Sequence, residues 1–348
     1  VTYTWVEPFA GAAAIALRIV GGPHLVPPVS WMGGKRKLAP FIADAMGVPR
    51  SKPSRVVFCD AGPWGRVWPA LLEETAEVAE LLRYWEQDYI EDGRGPRMLW
   101  DSCRDRPPHV ELHARAAQWL WLQARSASGV PVWWSGDRYI ADTGSGEACQ
   151  KGDNSRSPSS KGWRMGEEPS KARRGARTIS QTGGAQQWLA SDGRGVERPV
   201  GQKGEERPDR LPSGGMVHPA TIADRIEAIA HAIEGIAVAV HHGDAADLFG
   251  VVEQVHDPRD QLFVYLDPPY VGCTGYGWTM PREQVVELAK RWQDAGAVVA
   301  VSEAEALDLE GWHHLDLTRH GNGKPEWLTL SRAPARVPAV QLDLLGAP

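Results

Sequence analysis

Asp267-Pro268-Pro269-Tyr270 sets a carboxylate, two stiff imide links and an aromatic ring in succession, directly after the apolar run Leu262-Phe263-Val264-Tyr265-Leu266. Two consecutive prolines fix two φ angles and remove two backbone donors, so the segment offers carbonyl oxygens and the Asp267 carboxylate as acceptors. Acceptors beside the Tyr270 ring suit a planar base held by its amino group. An apolar run without period-two alternation reads as a strand buried on both faces, and open α/β sheets place their chemistry at the carboxyl ends of such strands. By itself the tetrapeptide is equally a strand closed by a Pro-Pro turn, because Asp-Pro-Pro also occurs in ordinary loops.

Three further groups of residues could bind a ligand. Tyr3-Thr4-Trp5-Val6 ends in Glu7-Pro8-Phe9-Ala10-Gly11-Ala12-Ala13-Ala14 and passes into Ile15-Ala16-Leu17-Arg18-Ile19, a strand, a small-residue turn and a helix. Small residues let a ligand approach the backbone, and a helix start offers unpaired N–H groups and a positive dipole end. The spacing is not that of a dinucleotide or phosphate-loop fingerprint, and packing alone also explains one Gly in an Ala-rich helix start. Trp31-Met32-Gly33-Gly34-Lys35-Arg36-Lys37 follows, then the strand Arg55-Val56-Val57-Phe58-Cys59, which ends in Asp60-Ala61-Gly62-Pro63. A carboxylate after the second strand of a nucleotide-binding sheet takes ribose hydroxyls, although Asp-x-Gly-Pro is also ordinary turn chemistry.

Together, Glu-Pro-Phe-x-Gly at 7–11, the Gly-Gly-Lys segment at 31–37 and Asp-Pro-Pro-Tyr at 267–270 resemble the Dam-like class of S-adenosylmethionine-dependent DNA adenine methyltransferases. The resemblance extends to the acid-ended strand at Asp60, to the aromatic helix from Ala114 to Arg125, and to Val238-Ala239-Val240-His241-His242-Gly243-Asp244-Ala245. It covers most of the chain outside about 130–215. One departure is the order: the family's Gly-Gly-Lys segment precedes Glu-Pro-Phe, whereas here it follows it, so its loop must reach the cofactor through a different connection. A second is Ala where many relatives carry a further Gly in the first turn.

The resemblance implies a Rossmann-like α/β sheet with helices on both faces and an inserted DNA-recognition region. It implies S-adenosylmethionine as cofactor, held by Glu7, Pro8, Phe9, Ala10 and Gly11 around its methionine and adenosine. Trp31, Gly34 and Lys35 would lie at its methionine end, with Lys35 on the carboxylate, Asp60 on the ribose, and Asp244 with Ala245 at the adenine edge. Catalysis falls to Asp267, Pro268, Pro269 and Tyr270. Hydrogen bonds from the amine to Asp267 and the Pro268 carbonyl would localise its lone pair, while Tyr270 stacks on a base flipped from duplex DNA. Methylation of the cytosine N4 amine, an inactive DNA- or cofactor-binding subunit, and an RNA or small-molecule substrate are the competing readings. His241 and His242 are expected to be structural.

Composition sets bounds on these readings. A chain of 348 residues with 42% hydrophobic residues suits one large α/β domain with an insertion, or two domains. No run approaches the ~18 apolar residues a bilayer span needs, and the four cysteines, Cys59, Cys103, Cys149 and Cys273, show no metal-ligand spacing. No metal, no membrane and a cytoplasmic location are expected. A net charge of −6 sits poorly with DNA as partner, but 151–210 carries thirteen Lys or Arg against eight Asp or Glu. A cognate restriction enzyme is a further partner such an enzyme can have.

The elements that must position these residues divide the chain into four. Residues 1–129 form the first part of the catalytic domain, with helices expected near Lys37–Met46, Trp68–Glu86 and Val110–Ser128. Residues 130–217 form the target-recognition insertion, read as partly irregular or disordered, with Trp133, Trp134, Trp163 and Trp188 for stacking and Arg173, Arg174 and Arg177 for phosphate. Residues 218–332 complete the catalytic domain: a helix capped by Thr221 or a neighbour, strands near 237–241 and 262–266, a mobile loop at Val271–Tyr276, a helix at 281–295, a strand at 297–302, and two more near 313–317 and 326–330. Residues 333–348 are read as a flexible tail.

Overall fold

The computed structural model describes residues 1–31, 33–92, 94–126, 131–142, 176–178, 217–270, 280–321 and 325–336. Among these described residues ten strands run in chain order: β1 (Tyr3–Glu7), β2 (Arg55–Cys59), β3 (Val132–Trp134), β4 (Tyr139–Asp142), β5 (Ala176–Thr178), β6 (Ala237–His241), β7 (Gln261–Leu266), β8 (Val298–Glu303), β9 (His313–Asp316) and β10 (Trp327–Leu330). Seven of them form one sheet in the order β6-β2-β1-β7-β8-β10-β9. The first five in that order are parallel, and β10 is antiparallel to both its neighbours. The strand order reverses between β1 and β7, the kind of point where doubly wound sheets open a ligand crevice.

The central strands are the apolar runs of the sequence, and their two faces build two cores. Trp5, Phe58, Phe263 and Tyr265 point to one side, under helices α1 (Ala14–Gly21), α2 (Ala39–Met46), α3 (Pro63–Glu73), α4 (Thr75–Trp85), α5 (Pro96–Arg104), α6 (Leu112–Ala124) and α7 (Pro219–Ile233). Val6, Val57, Val264 and Val301 point to the other, under α8 (Leu248–Val255) and α9 (Arg282–Asp294). Alternate residues therefore serve opposite cores, which is why no polar alternation marks these strands.

Several expected elements differ from those observed. The helix expected from Trp68 to Glu86 is two helices, beginning at Pro63 and broken at Glu74, whose φ of −126° and ψ of 37° leave the helical region. A π-helical turn at Glu86–Glu91 follows α4. Helix α7 starts on Pro219 after His218, so Thr221 lies inside it; the His218 side chain does not cap the start, and Glu86 Oε2 accepts from Ala220 N at 3.3 Å instead. The insertion, read as partly irregular or disordered, contains the antiparallel three-stranded sheet β3-β4-β5. Each of those strands is three or four residues long, too short for a hydrophobic period to show. The tail's first residues are packed, with Ala335 N donating to Ala45 O at 2.9 Å and Arg336 pairing with Asp44 at 3.2 Å. Residues 337–348 lie outside the described residues.

Candidate active site

β1 carries Glu7 to the carboxyl edge of the sheet, where the side chain is 3% exposed. Its Oε1 accepts hydrogen bonds from Trp5 Nε1 at 2.8 Å and from Ala16 N, in the first turn of α1, at 2.7 Å. Burial pushes the Glu7 carboxyl up to about 8, against those two donors and with the Asp267 charge adding to the rise. The turn that follows is held from three sides. Gly11 N donates to Asp60 Oδ2 at 3.1 Å, Trp68 Nε1 donates to Gly11 O at 2.9 Å, and a Cβ on Gly11 would come within 3.1 Å of the Trp31 indole nitrogen. Gly11 has φ +47°, and Ala13, just before α1, is also left-handed at φ +50°. A side chain in that region costs about 1–2 kcal/mol. The second small-residue position of the turn thus holds strain that a Gly would not.

β2 delivers Asp60 beside this turn. Asp60 Oδ1 accepts from Gly62 N at 2.7 Å and Gly65 N at 3.3 Å, so the carboxylate holds the first turn of α3 as well as Gly11. Burial raises it to about 6 despite these backbone donors. Gly65 is required here, because a Cβ would lie 2.1 Å from Asp60 O. An aromatic floor supports the arrangement: Trp64 stacks on Trp68 at 5.6 Å and meets Trp119 edge-on at 5.1 Å, and Phe58 lies 5.0 Å from Trp68.

The Gly-Gly-Lys loop enters from the α1 to α2 connection, and Lys35 is buried. Its Nζ is 2.9 Å from Asp267 Oδ1, 3.7 Å from Glu326 Oε2 and 3.2 Å from Gly33 O, and it lies 4.7 Å from the centre of the Tyr270 ring. Tyr270 Oη donates to Glu326 Oε1 at 2.7 Å. Glu326 immediately precedes β10 and is 8% exposed. Burial works against the Lys35 ammonium, but Asp267 and Glu326 outweigh it and raise its pKa. Burial raises Asp267 and Glu326 as well, with Lys35 opposing both shifts.

One cavity at the β1/β7 crossover collects most of the residues singled out in the sequence. Glu7 to Gly11, Trp31, Gly34, Lys35, Asp60, Asp244, Ala245, Asp267 and Pro269 all line it. Pro268 and Tyr270 flank Pro269 on the same loop. Among the described residues its charged lining consists of four carboxyl groups, Glu7, Asp60, Asp244 and Asp267, against the ammonium of Lys35, with the Tyr265 phenol beside them. Such a lining suits a ligand rich in donors and carrying positive charge. Ile15, Phe9 and Met280 supply apolar wall.

Of the residues expected at DNA, Trp133, Trp134 and Arg177 share the small sheet β3-β4-β5. Trp133 lines the cavity beside the first turn, Trp134 packs edge-on against Tyr139 at 5.2 Å, and Arg177 stands in β5 opposite Ala141. Arg173, Arg174, Trp163, Trp188 and the loop Val271–Tyr276 with Cys273 lie outside the described residues. His241 and His242 pack against Gly243 and Gly65, away from Asp267.

Sequence reading missed Glu326. Its only local signal is a carboxylate opening an apolar strand, and its neighbours Lys35 and Tyr270 are 291 and 56 positions away. No group of three or more His, Cys, Asp or Glu among the described residues could hold a metal ion, and no described helix is long and apolar enough to cross a membrane. No family model and no curated protein matches the chain.

Proposed function

We propose that the protein is a DNA adenine methyltransferase that uses S-adenosylmethionine to methylate the exocyclic N6 amine of a flipped-out adenine. The observation that carries this reading is the meeting of Asp267-Pro268-Pro269-Tyr270 with the Glu7 to Gly11 turn and Asp60 in one cavity at the crossover of the sheet. The charge of the lining supports the cofactor. Four carboxyls and one ammonium favour a sulfonium with an α-amino group and ribose hydroxyls, and disfavour the pyrophosphate of a dinucleotide. The outer strands agree with this choice only as an α/β sheet; the acidic, acceptor-rich lining is the specific argument.

Bound at this site, S-adenosylmethionine supplies an electrophilic methyl group. The protein's own task is to present the amine and exclude water. Asp267, ionised, accepts from one amino hydrogen and a proline carbonyl takes the other, so the nitrogen lone pair is withdrawn from the ring and directed at the methyl carbon. Asp267 also stabilises the positive charge that grows on nitrogen and receives the proton that methylation releases. Lys35 opposes the burial that would neutralise Asp267. Tyr270 offers the face on which the flipped base stacks.

The reading is tested by incubating the protein with S-adenosylmethionine and unmethylated duplex DNA, digesting to nucleosides and measuring methylated bases by mass spectrometry. N6-methyladenine that falls at least ~100-fold in Asp267→Ala is the expected result. N4-methylcytosine instead would move the target base, and cofactor binding without any methylated nucleoside would make the chain a binding subunit.

A further inference from the structure

Lys35 was expected on the cofactor's carboxylate, yet its ammonium stands on the acceptor itself. We infer that Lys35 and Glu326 form a positioning pair for Asp267: the Lys35 ammonium holds the place of the substrate's amino group on Asp267 and transfers to Glu326 when that group arrives.

The geometry is that of one cation between two carboxylates. Nζ is bonded to Asp267 Oδ1 at 2.9 Å and faces Glu326 Oε2 at 3.7 Å, so a shift of under an ångström in each direction exchanges the partners. Glu326 is built to wait. Its backbone N donates to Thr318 Oγ1 at 3.1 Å, its carbonyl accepts from Leu317 N at 2.7 Å, Tyr270 donates to Oε1, and Ser302 adds a side-chain hydrogen bond, while Oε2 faces the lysine. Lys35 is anchored too, its carbonyl accepting from Leu38 N and Ala39 N at 2.8 Å each. A largely buried carboxylate stripped of its paired cation is costly, so a resident ammonium keeps Asp267 ionised while the site is empty. An aromatic amine entering over Tyr270 would meet the lysine at both Asp267 and the ring, and Glu326 provides the paired seat that makes its departure cheap.

Among the described residues the other groups that face Asp267 are Tyr270, whose hydroxyl lies within hydrogen-bonding reach of it as well as of Glu326, Glu7 at the end of β1, Glu303 at the end of β8, and Tyr265, whose Oη donates to Ser302 Oγ at 2.8 Å. None of these is a cation. Asp267 therefore answers to Lys35 and Glu326 with opposite signs. Removing the ammonium makes its ionisation harder, and removing the Glu326 charge makes it easier.

That opposition is the test. Full-length protein labelled with [13Cγ]aspartate is titrated by NMR, the Asp267 signal being the one lost in Asp267→Asn. The Asp267 midpoint should rise in Lys35→Met and fall in Glu326→Gln. In methyl-transfer assays the acid limb of the rate profile should move the same two ways. Glu326→Gln should also raise KM for DNA about tenfold with a smaller effect on kcat, and Glu326→Asp should restore much of the loss. Midpoints that stay put, or that move in the same direction in both variants, overturn the pair, as does an unchanged KM in Glu326→Gln. The amine that displaces Lys35 rests on the methyltransferase reading. Opposite NMR shifts in a protein that methylates no nucleic acid would keep the shared lysine and remove that reading, so the two failures are distinguishable.

Discussion

At Glu7 the cost of burying a carboxyl is measurable without substrate. Its pKa stands near 8 in the folded chain against 4.5 when unfolded, so the folded state holds a proton that the unfolded state has released. The associated stability is fully present below pH ~4.5 and is lost as pH rises to about 8. Glu7→Gln keeps an oxygen for Trp5 and Ala16 and removes the titration. The cofactor-free variant should therefore melt higher than the parent at pH 8, by an amount on the order of 1–2 kcal/mol, and lose that advantage at pH 4.5. Thermal melts across this range decide it. Ala13 makes a second residue-scale prediction. Ala13→Gly should fall within ~0.5 kcal/mol of neutral, because relief of the left-handed conformation offsets the extra freedom of an unfolded glycine. Ala13→Val, buried and β-branched at positive φ, should cost at least ~2 kcal/mol in denaturant unfolding.

Among the elements, α7 shows which interactions hold the helical layer. It packs on α4, and across the seam Arg83 reaches Asp224 and Glu227. That ion pair looks strong by contact but lies at the surface, where solvent screens it. Beneath it Ile226 is fully buried. Arg83→Ala should therefore cost less than ~1 kcal/mol, whereas Ile226→Ala should cost about 2–5 kcal/mol, measured by urea unfolding. The displaced Gly-Gly-Lys segment is also an element-scale matter. It hangs between α1 and α2 rather than before β1, and α2 packs against both α1 and β8. That bridging position brings Lys35 to the end of β7, because β8 is β7's neighbour.

For the whole molecule, the acidity of the cavity predicts how it should take a cationic cofactor. Burial lifts Asp60 to about 6 and Glu7 to about 8, and a bound cation favours their ionised forms. Affinity for S-adenosylmethionine should rise as pH goes from 6 to 8, with proton release that appears as a buffer-dependent heat in calorimetry. NAD should show no binding in the same cell. Affinity that is flat or falling with pH would remove the cationic-ligand argument. The net charge of −6 makes the same point about distribution: the chain as a whole is acidic, and the excess of cations is confined to 151–210. Any grip on DNA should accordingly be strongly salt-dependent and local.

Much of this was legible from residues alone, for a reason that the strands make plain. Runs such as Leu262–Leu266 and Val298–Val301 are apolar at every position because both faces of a central parallel strand are covered, so their place in the sheet follows from composition. The turn after β1 and the Asp-Pro-Pro-Tyr loop were visible because Gly and Pro restrict the backbone locally. The break at Glu74 and the short strands of the insertion were not, since each depends on packing rather than on a repeating pattern. The partner of Lys35 was decided by tertiary structure alone. Residues 35, 267 and 326 share no local signal, and only the neighbouring ends of β7, β8 and β10, with α2 packed on β8, bring one ammonium between a half-buried and a buried carboxylate.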